Sequence, residues 1–214
     1  MFKIIIMCGG VYDNFEKHKA LSIINGEPLV ERTIRLLKEN NVKDIYISSN
    51  SDEFNKYANV LHHENSYKHE NGKSTGYWVD AYYPTEESCI YLHGDVYYTE
   101  DAIKKILNLN PSVNTMIGNK YALNEEKKKV GEPFGWIIVD QGKFRKAIDI
   151  CKILQDKGQV DRMPIAWEVY QVLNGHDING FDISEDTYLA IYDETQDIDA
   201  PWQIEELNKK VSDK

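Results

Sequence analysis

The hydrophobic positions of this chain change period repeatedly, and each change marks an element. Ile4-Ile5-Ile6-Met7 is a continuous, largely β-branched apolar run, the pattern of a short strand covered on both faces. Pro28 suits a first helical position, and Val30, Ile34 and Leu37 then recur at helical spacing as far as Asn41, which predicts an amphipathic helix. Asp44-Ile45-Tyr46-Ile47-Ser48 and Cys89-Ile90-Tyr91-Leu92 predict two more strands, and Thr99 is placed to cap a helix carrying Ile103, Ile106 and Leu107. This strand–helix alternation over residues 1 to about 110 predicts a parallel sheet flanked by helices.

Beyond that point the rhythm is less regular. Thr115–Gly118 and Trp136–Val139 predict strands, and Phe144, Ala147, Ile148, Cys151 and Leu154 form a helical stripe that Gly158 can end. A second stripe (Ala166, Val169, Tyr170, Leu173) stops near Gly175, Tyr188–Tyr192 alternates as a strand does, and a last helix is predicted from Pro201 through Val211. Asn124–Val130, with its Glu-Glu-Lys-Lys-Lys run, reads as a solvated loop. With no internal repeat and no Pro- or Ser-rich linker, the 214 residues are expected to form one domain, 1–214, with a nucleotide-type half (1–110) and a second half (111–214).

Composition narrows the function classes. With 14 Tyr, 6 Phe and 4 Trp to bury, the chain has the material for a core and not the composition of a disordered segment. The formal charge of −10 argues against a nucleic-acid backbone or an anionic membrane as partner, because both select basic faces. An anionic ligand would need a local reversal of that field, and a divalent cation is the obvious means. Cys8, Cys89 and Cys151 are odd in number and far apart, so no disulfide framework is expected. No apolar run approaches the length of a membrane span, and the segment before Gly9 is too short for a signal-peptide core. A cytoplasmic location without membrane insertion is the expectation; oligomeric state is left open.

Three features can carry chemistry. Met7-Cys8-Gly9-Gly10 follows the first strand, and Lys19 follows Gly10 by nine positions. Paired glycines let backbone N–H groups approach phosphates, and a returning lysine neutralises them; the plain alternative is a tight turn and a surface lysine. Neither a Walker A nor a dinucleotide fingerprint is present. Asp95, after Gly94, lies at the carboxyl end of a predicted buried strand, where open α/β sheets bind ligands; an Asp that merely shapes the turn is the competitor. Asp197-Ile198-Asp199 precedes the last helix. In an extended segment both aspartates face one side, although acids also favour helix starts for the dipole alone.

Residues 1–50 resemble the N-terminal signature of the nucleotidyltransferases that activate sugar-phosphates and alcohol-phosphates. The matching residues are Cys8-Gly9-Gly10, Lys19 and the run Ile24-Asn25-Gly26-Glu27-Pro28-Leu29-Val30-Glu31. Leu92-His93-Gly94-Asp95 and Asp197-Ile198-Asp199-Ala200-Pro201 are similar to the family's two metal-binding stretches, and the likeness is thin between 110 and 185. The resemblance implies a three-layer α/β/α sandwich with a mostly parallel central sheet, of the GT-A, Rossmann-like kind. It implies a nucleoside triphosphate held by Cys8, Gly9, Gly10, Lys19 and Gly94, with Ser74 and Thr75 near base and ribose. It also implies Mg²⁺ on Asp95 and on Asp199 or Asp197 (Asp199 preferred), and an acceptor near Gly135. Lys19 and Asp95 are the expected catalytic residues. The chain departs from the family in lacking the glycine-loop Arg, for which Lys17 is the available substitute.

The activity implied is Mg²⁺-dependent transfer of a nucleoside monophosphate from an NTP to a small phosphorylated acceptor, with release of pyrophosphate and a context in polysaccharide or lipid-head-group precursor synthesis. The alternatives are a molybdenum-cofactor-type guanylyltransferase, a GT-A glycosyltransferase and a non-catalytic nucleotide-binding relative.

Overall fold

A computed structural model describes residues 2–9, 15, 18–63, 66–120 and 131–212. Gly10, Lys17 and the Asn124–Val130 segment lie outside the described residues. Seven strands form the central sheet: β1 (Lys3–Met7), β2 (Ile45–Ser48), β3 (Asn59–Leu61), β4 (Cys89–His93), β5 (Thr115–Asn119), β6 (Glu132–Ile138) and β7 (Tyr188–Ala190), in the spatial order β7-β5-β6-β4-β1-β2-β3. β1 pairs in parallel with both β2 and β4, β2 with β3, and β5 with β7, whereas β6 is antiparallel to both its neighbours, β4 and β5. The sheet is thus mostly parallel, with one strand reversed.

Alternation along β1 divides the two layers. Ile4 and Ile6 face α1 (Leu29–Glu39) and α2 (Glu100–Asn108), packing with Val30, Ile34, Leu37, Ile103 and Ile106. Ile5 and Met7 face the opposite layer, where α3 (Gln141–Asp156) and α4 (Ala166–Asn174) contribute Phe144, Ile148, Trp167 and Tyr170. Helices cover both faces, as the doubly apolar strands require. Fully burying one such side chain stabilises the fold by about 1.5–3 kcal/mol. A third, small cluster joins α5 (Pro201–Ser212) to the rest through Leu207, Ile198, Ile24, Leu29 and Tyr97. Among the described residues, no helix is long and apolar enough to cross a membrane.

Helix signals act where the pattern places them. The Thr99 hydroxyl accepts from the Ala102 N–H at 3.0 Å, and Gly175, at φ +70°, closes α4 in the left-handed conformation. The Gly72–Gly76 stretch belongs to a hairpin: Lys68–Glu70 and Lys73–Thr75 pair as an antiparallel ribbon around Asn71-Gly72, both at positive φ (51° and 73°). That dipeptide fits the tight hairpin turn whose twist matches its strands.

The connections set the position of the site. After β1 the chain builds β2 and β3 on one side, then returns to place β4 on the other. Successive crossovers therefore diverge from β1, which opens a crevice at the carboxyl ends of β1 and β4.

Candidate active site

Met7 lies opposite His93 in the parallel β1–β4 register, so Cys8-Gly9 and Gly94-Asp95 leave the sheet side by side. The two exits touch closely: the Gly94 N–H donates to the Met7 carbonyl at 2.9 Å, and a Cβ on Gly94 would come within 2.6 Å of both Cys8 Sγ and that carbonyl oxygen. Glycine is required there by the neighbouring strand. Cys8 is likewise committed, its N–H to the Ser48 carbonyl (2.9 Å) and its own carbonyl to the Ser49 hydroxyl (3.0 Å). Neither Cys8 nor Gly94 has its N–H turned to a phosphate in this arrangement, because protein carbonyls already hold both.

Asp95 meets acids from far along the chain, and the backbone explains how. Gln196–Asp197 pairs antiparallel with Val96–Tyr97, and the Ile198 N–H donates to the Asp95 carbonyl at 3.0 Å. Buried Ile198 anchors this segment between the two aspartates. The turn into α5 is held by one side chain: Gln203 Oε1 accepts from the N–H groups of Asp199 and Ala200, both at 2.7 Å. A fourth acid, Glu132, enters from the reversed strand. Because β6 runs against β4 with Gly135 opposite Leu92, its first residue lies at the edge where β4 ends. Oxygens of Glu132, Asp197 and Asp199 all lie within 4.8 Å of one another.

Lys19 completes the cluster. It sits in a single 3₁₀ turn, Lys19–Leu21, only 3% exposed, with Nζ 2.7 Å from Asp199 Oδ1 and 3.5 Å from Asp95 Oδ2. The lysine and the two aspartates expected from sequence thus converge, and Asp197 joins them. Asp95 stands outside the three-acid group and is tied to it through Lys19. Glu132 was not anticipated: it reads as the residue ahead of an aromatic-glycine strand, and only the reversed direction of that strand reveals its destination.

The electrostatics are those of crowded carboxylates. Burial, then the negative charges of Asp199 and Asp95, push Glu132 up to about 8. Asp197 lies well above the usual carboxylate range, first from burial and then from Asp95 and Asp199. Burial alone would pull Lys19 down, but Asp95, Asp197 and Asp199 outweigh it and keep the ammonium charged. Three carboxylate oxygens this close, whose joint ionisation one lysine would not offset, fit a hard oxygen-seeking cation such as Mg²⁺.

Acids whose folded pKa exceeds the unfolded value bind extra protons when folded, so stability falls as pH rises toward the folded pKa. Burial lowers the pKa of His93 and works in the opposite sense below about pH 6.5. The metal-free protein is therefore expected to melt at a lower temperature at pH 8 than at pH 6.5, and millimolar Mg²⁺ should reverse most of that loss. Thermal scans at the two pH values, with EDTA and with Mg²⁺, provide the check.

The remaining expected residues lie elsewhere. Ser74 and Thr75 are exposed on the small ribbon, which leads through Gly76, whose carbonyl accepts from Gln155 near the end of α3 (2.9 Å). Gly135 is buried inside β6, where a Cβ would run into the Tyr91 carbonyl oxygen of β4. Packing rather than exposure to an acceptor accounts for the glycine.

Comparison with known proteins bears on this site directly. A family model described as the MobA-like NTP transferase domain matches residues 4–157. Among solved structures, the chain is similar to the CTP:phosphocholine cytidylyltransferase of Streptococcus pneumoniae, with 15% identity, TM-score 0.58, and 98% of this chain and 99% of that one covered. It is also similar to the inositol-1-phosphate CTP transferase of T. maritima (12% identity, TM-score 0.58, 99% and 96% covered). A third is a putative glucose-1-phosphate thymidylyltransferase of Bacillus anthracis (14% identity, TM-score 0.56, 100% and 96% covered). At such identities these likenesses establish the fold. No curated protein matches the chain. Because the family model spans well over half of the sequence, the chain belongs to the MobA-like NTP transferase family and is a nucleotidyltransferase.

Proposed function

We propose that the protein is a Mg²⁺-dependent nucleotidyltransferase that moves a nucleoside monophosphate from an NTP to a small sugar-phosphate or alcohol-phosphate and releases pyrophosphate. The observation that carries this reading is the convergence of Lys19 with Asp95, Asp197, Asp199 and Glu132 at the carboxyl edge of β1 and β4. Residues 1–110 would supply the nucleotide side, and 111–214 the acceptor side with its share of the cation ligands. Precursor supply for polysaccharides or lipid head groups, in the cytoplasm, is the context that fits such products.

In this reading Glu132, Asp197 and Asp199 hold the cation, which when bound supplies charge neutralisation and Lewis-acid polarisation at the phosphates. The chain's own residues do the rest. Asp95 holds Lys19 beside the crevice, from which its ammonium would turn to meet phosphate charge. Gln203 keeps the two-aspartate turn rigid through its paired N–H contacts. A phosphate oxygen of the acceptor attacks the α-phosphorus as the bond to the β-phosphate's bridging oxygen breaks, and the electron pair leaves with pyrophosphate. Such transfers need positioning and electrostatic stabilisation rather than a covalent intermediate.

A panel of four NTPs crossed with small phosphate esters, read as pyrophosphate release with Mg²⁺ and with EDTA, tests the proposal. Turnover that needs both the phosphate ester and the cation is the expected result. Tight NTP binding without release under any pairing would instead make the protein a nucleotide-binding relative.

A further inference from the structure

Resting on the cation reading above, we infer that Lys19 is the internal counter-ion of the carboxylate cluster in the ligand-free protein. A divalent cation then binds strongly only when that ammonium is drawn away, and the group equipped to draw it away is a triphosphate. Cation and nucleotide are thereby coupled: neither binds well alone, and together they exchange an internal salt bridge for two external ones.

The geometry gives the reason. Lys19 Nζ is within hydrogen-bond distance of Asp199, one of the three acids whose oxygens come together, and it reaches Asp95 as well. A dication seated among Glu132, Asp197 and Asp199 would share Asp199 with the ammonium, and the two positive charges would repel at a few ångströms with little water between them. The other cation acting on Glu132 among the described residues, the Arg162 guanidinium, is already paired with Glu168 at 2.7 Å. The main chain of Lys19 is fixed independently of its head group, by the Leu21 N–H to His18 carbonyl bond (2.8 Å) and the Ser22 N–H to Lys19 carbonyl bond (2.9 Å), so the ammonium can change partners by rotation of its four-carbon stem. The lysine is 3% exposed and its partner Asp199 has a side chain 65% exposed, so the ammonium is the inner member of the pair and leaves by swinging outward past Asp199. Coupling of this kind is reciprocal: whatever factor nucleotide adds to cation affinity, the cation adds to nucleotide affinity.

The inference makes a prediction opposite to that of a lysine serving phosphates alone. In the absence of nucleotide, Lys19→Met should bind Mn²⁺ about tenfold or more tightly than the wild type, because a competing positive charge has gone. Lys19→Arg, which keeps that charge, should stay close to wild type. Free Mn²⁺ measured by electron paramagnetic resonance during titration of each protein gives the affinities directly. Thermal scans should show Lys19→Met melting lower without metal and recovering with it; Lys19→Gln serves if the methionine variant does not fold. The added affinity must disappear in a Lys19→Met/Asp199→Asn double variant, and its persistence would place the ion elsewhere and overturn the inference. Equal or weaker Mn²⁺ binding by Lys19→Met would overturn the inference and leave the proposed function standing. Failure of every protein, Lys19→Met included, to bind Mn²⁺ up to millimolar concentration would overturn the inference, and the same failure with a non-hydrolysable NTP present would overturn the proposed function as well.

Discussion

Asp95→Asn is expected to lower pyrophosphate release about a thousandfold or more while leaving the fold intact. A thousandfold corresponds to about 4 kcal/mol of transition-state stabilisation, the scale on which a single preorganised electrostatic contact acts in a buried site. The substitution is nearly isosteric and keeps the backbone carbonyl that receives the Ile198 N–H, so the docking of the second acidic segment survives. What it removes is one negative charge facing Lys19 at 3.5 Å. Lys19 retains Asp199 but loses the partner that aims it toward the crevice. The same charge is one of the causes pushing Glu132 and Asp197 upward. The metal-free variant should therefore melt no lower than wild type, and somewhat higher at pH 8. A variant that is dead and stable identifies an electrostatic role; one that is dead and unfolded would show that Asp95 acts through structure instead. Wild-type turnover would remove Asp95 from the machinery altogether.

The outline of the fold was legible because its first half is written in period alone. The β-branched run at Ile4–Met7, the stripe from Val30 to Leu37 and the Thr99 cap each specify an element with short-range physics. The short third strand, Asn59–Leu61, and the Asn71-Gly72 ribbon were missed: three-residue strands hardly rise above chance alternation, and the hairpin turn signal sits between polar residues with no apolar face to flag it. The site was legible where a motif residue stands at the end of a strand, as Asp95 does, or repeats at strand spacing, as Asp197 and Asp199 do. Glu132 was not, since its role depends on a long-range fact. β6 must be inserted between β5 and β4 in the reverse sense before its first residue reaches the carboxyl edge. Nothing local in Glu132-Pro133-Phe134 encodes that direction. The glycines show the converse error. Gly94 and Gly135 look alike in sequence as places for a ligand's close approach, and in the structure each is occupied by the neighbouring strand.

That distinction has a large measurable consequence at Gly135. Gly135→Ala places a methyl group against the Tyr91 backbone carbonyl, at the end pair of the β4–β6 ladder, where Leu92 is its direct partner and Ile117 of β5 pairs on the other side. A backbone oxygen cannot step aside as a flexible side-chain end can, so the two strands must separate locally. Overpacking a close-packed interior costs about 1–3 kcal/mol, and more when backbone has to shift, which puts the expected loss near 3–5 kcal/mol, at the exceptional end for single substitutions. For a domain of this size that is a fall in melting temperature of about 6–20 °C, measurable by calorimetry without any substrate. Activity should fall with the folded fraction, and the Michaelis constant for the acceptor should be unchanged in whatever folds. If Gly135 instead faced the acceptor, the alanine variant would keep its melting temperature and raise that constant. The two outcomes separate cleanly because strand pairing is felt by the empty protein, whereas a contact with acceptor exists only when acceptor is bound.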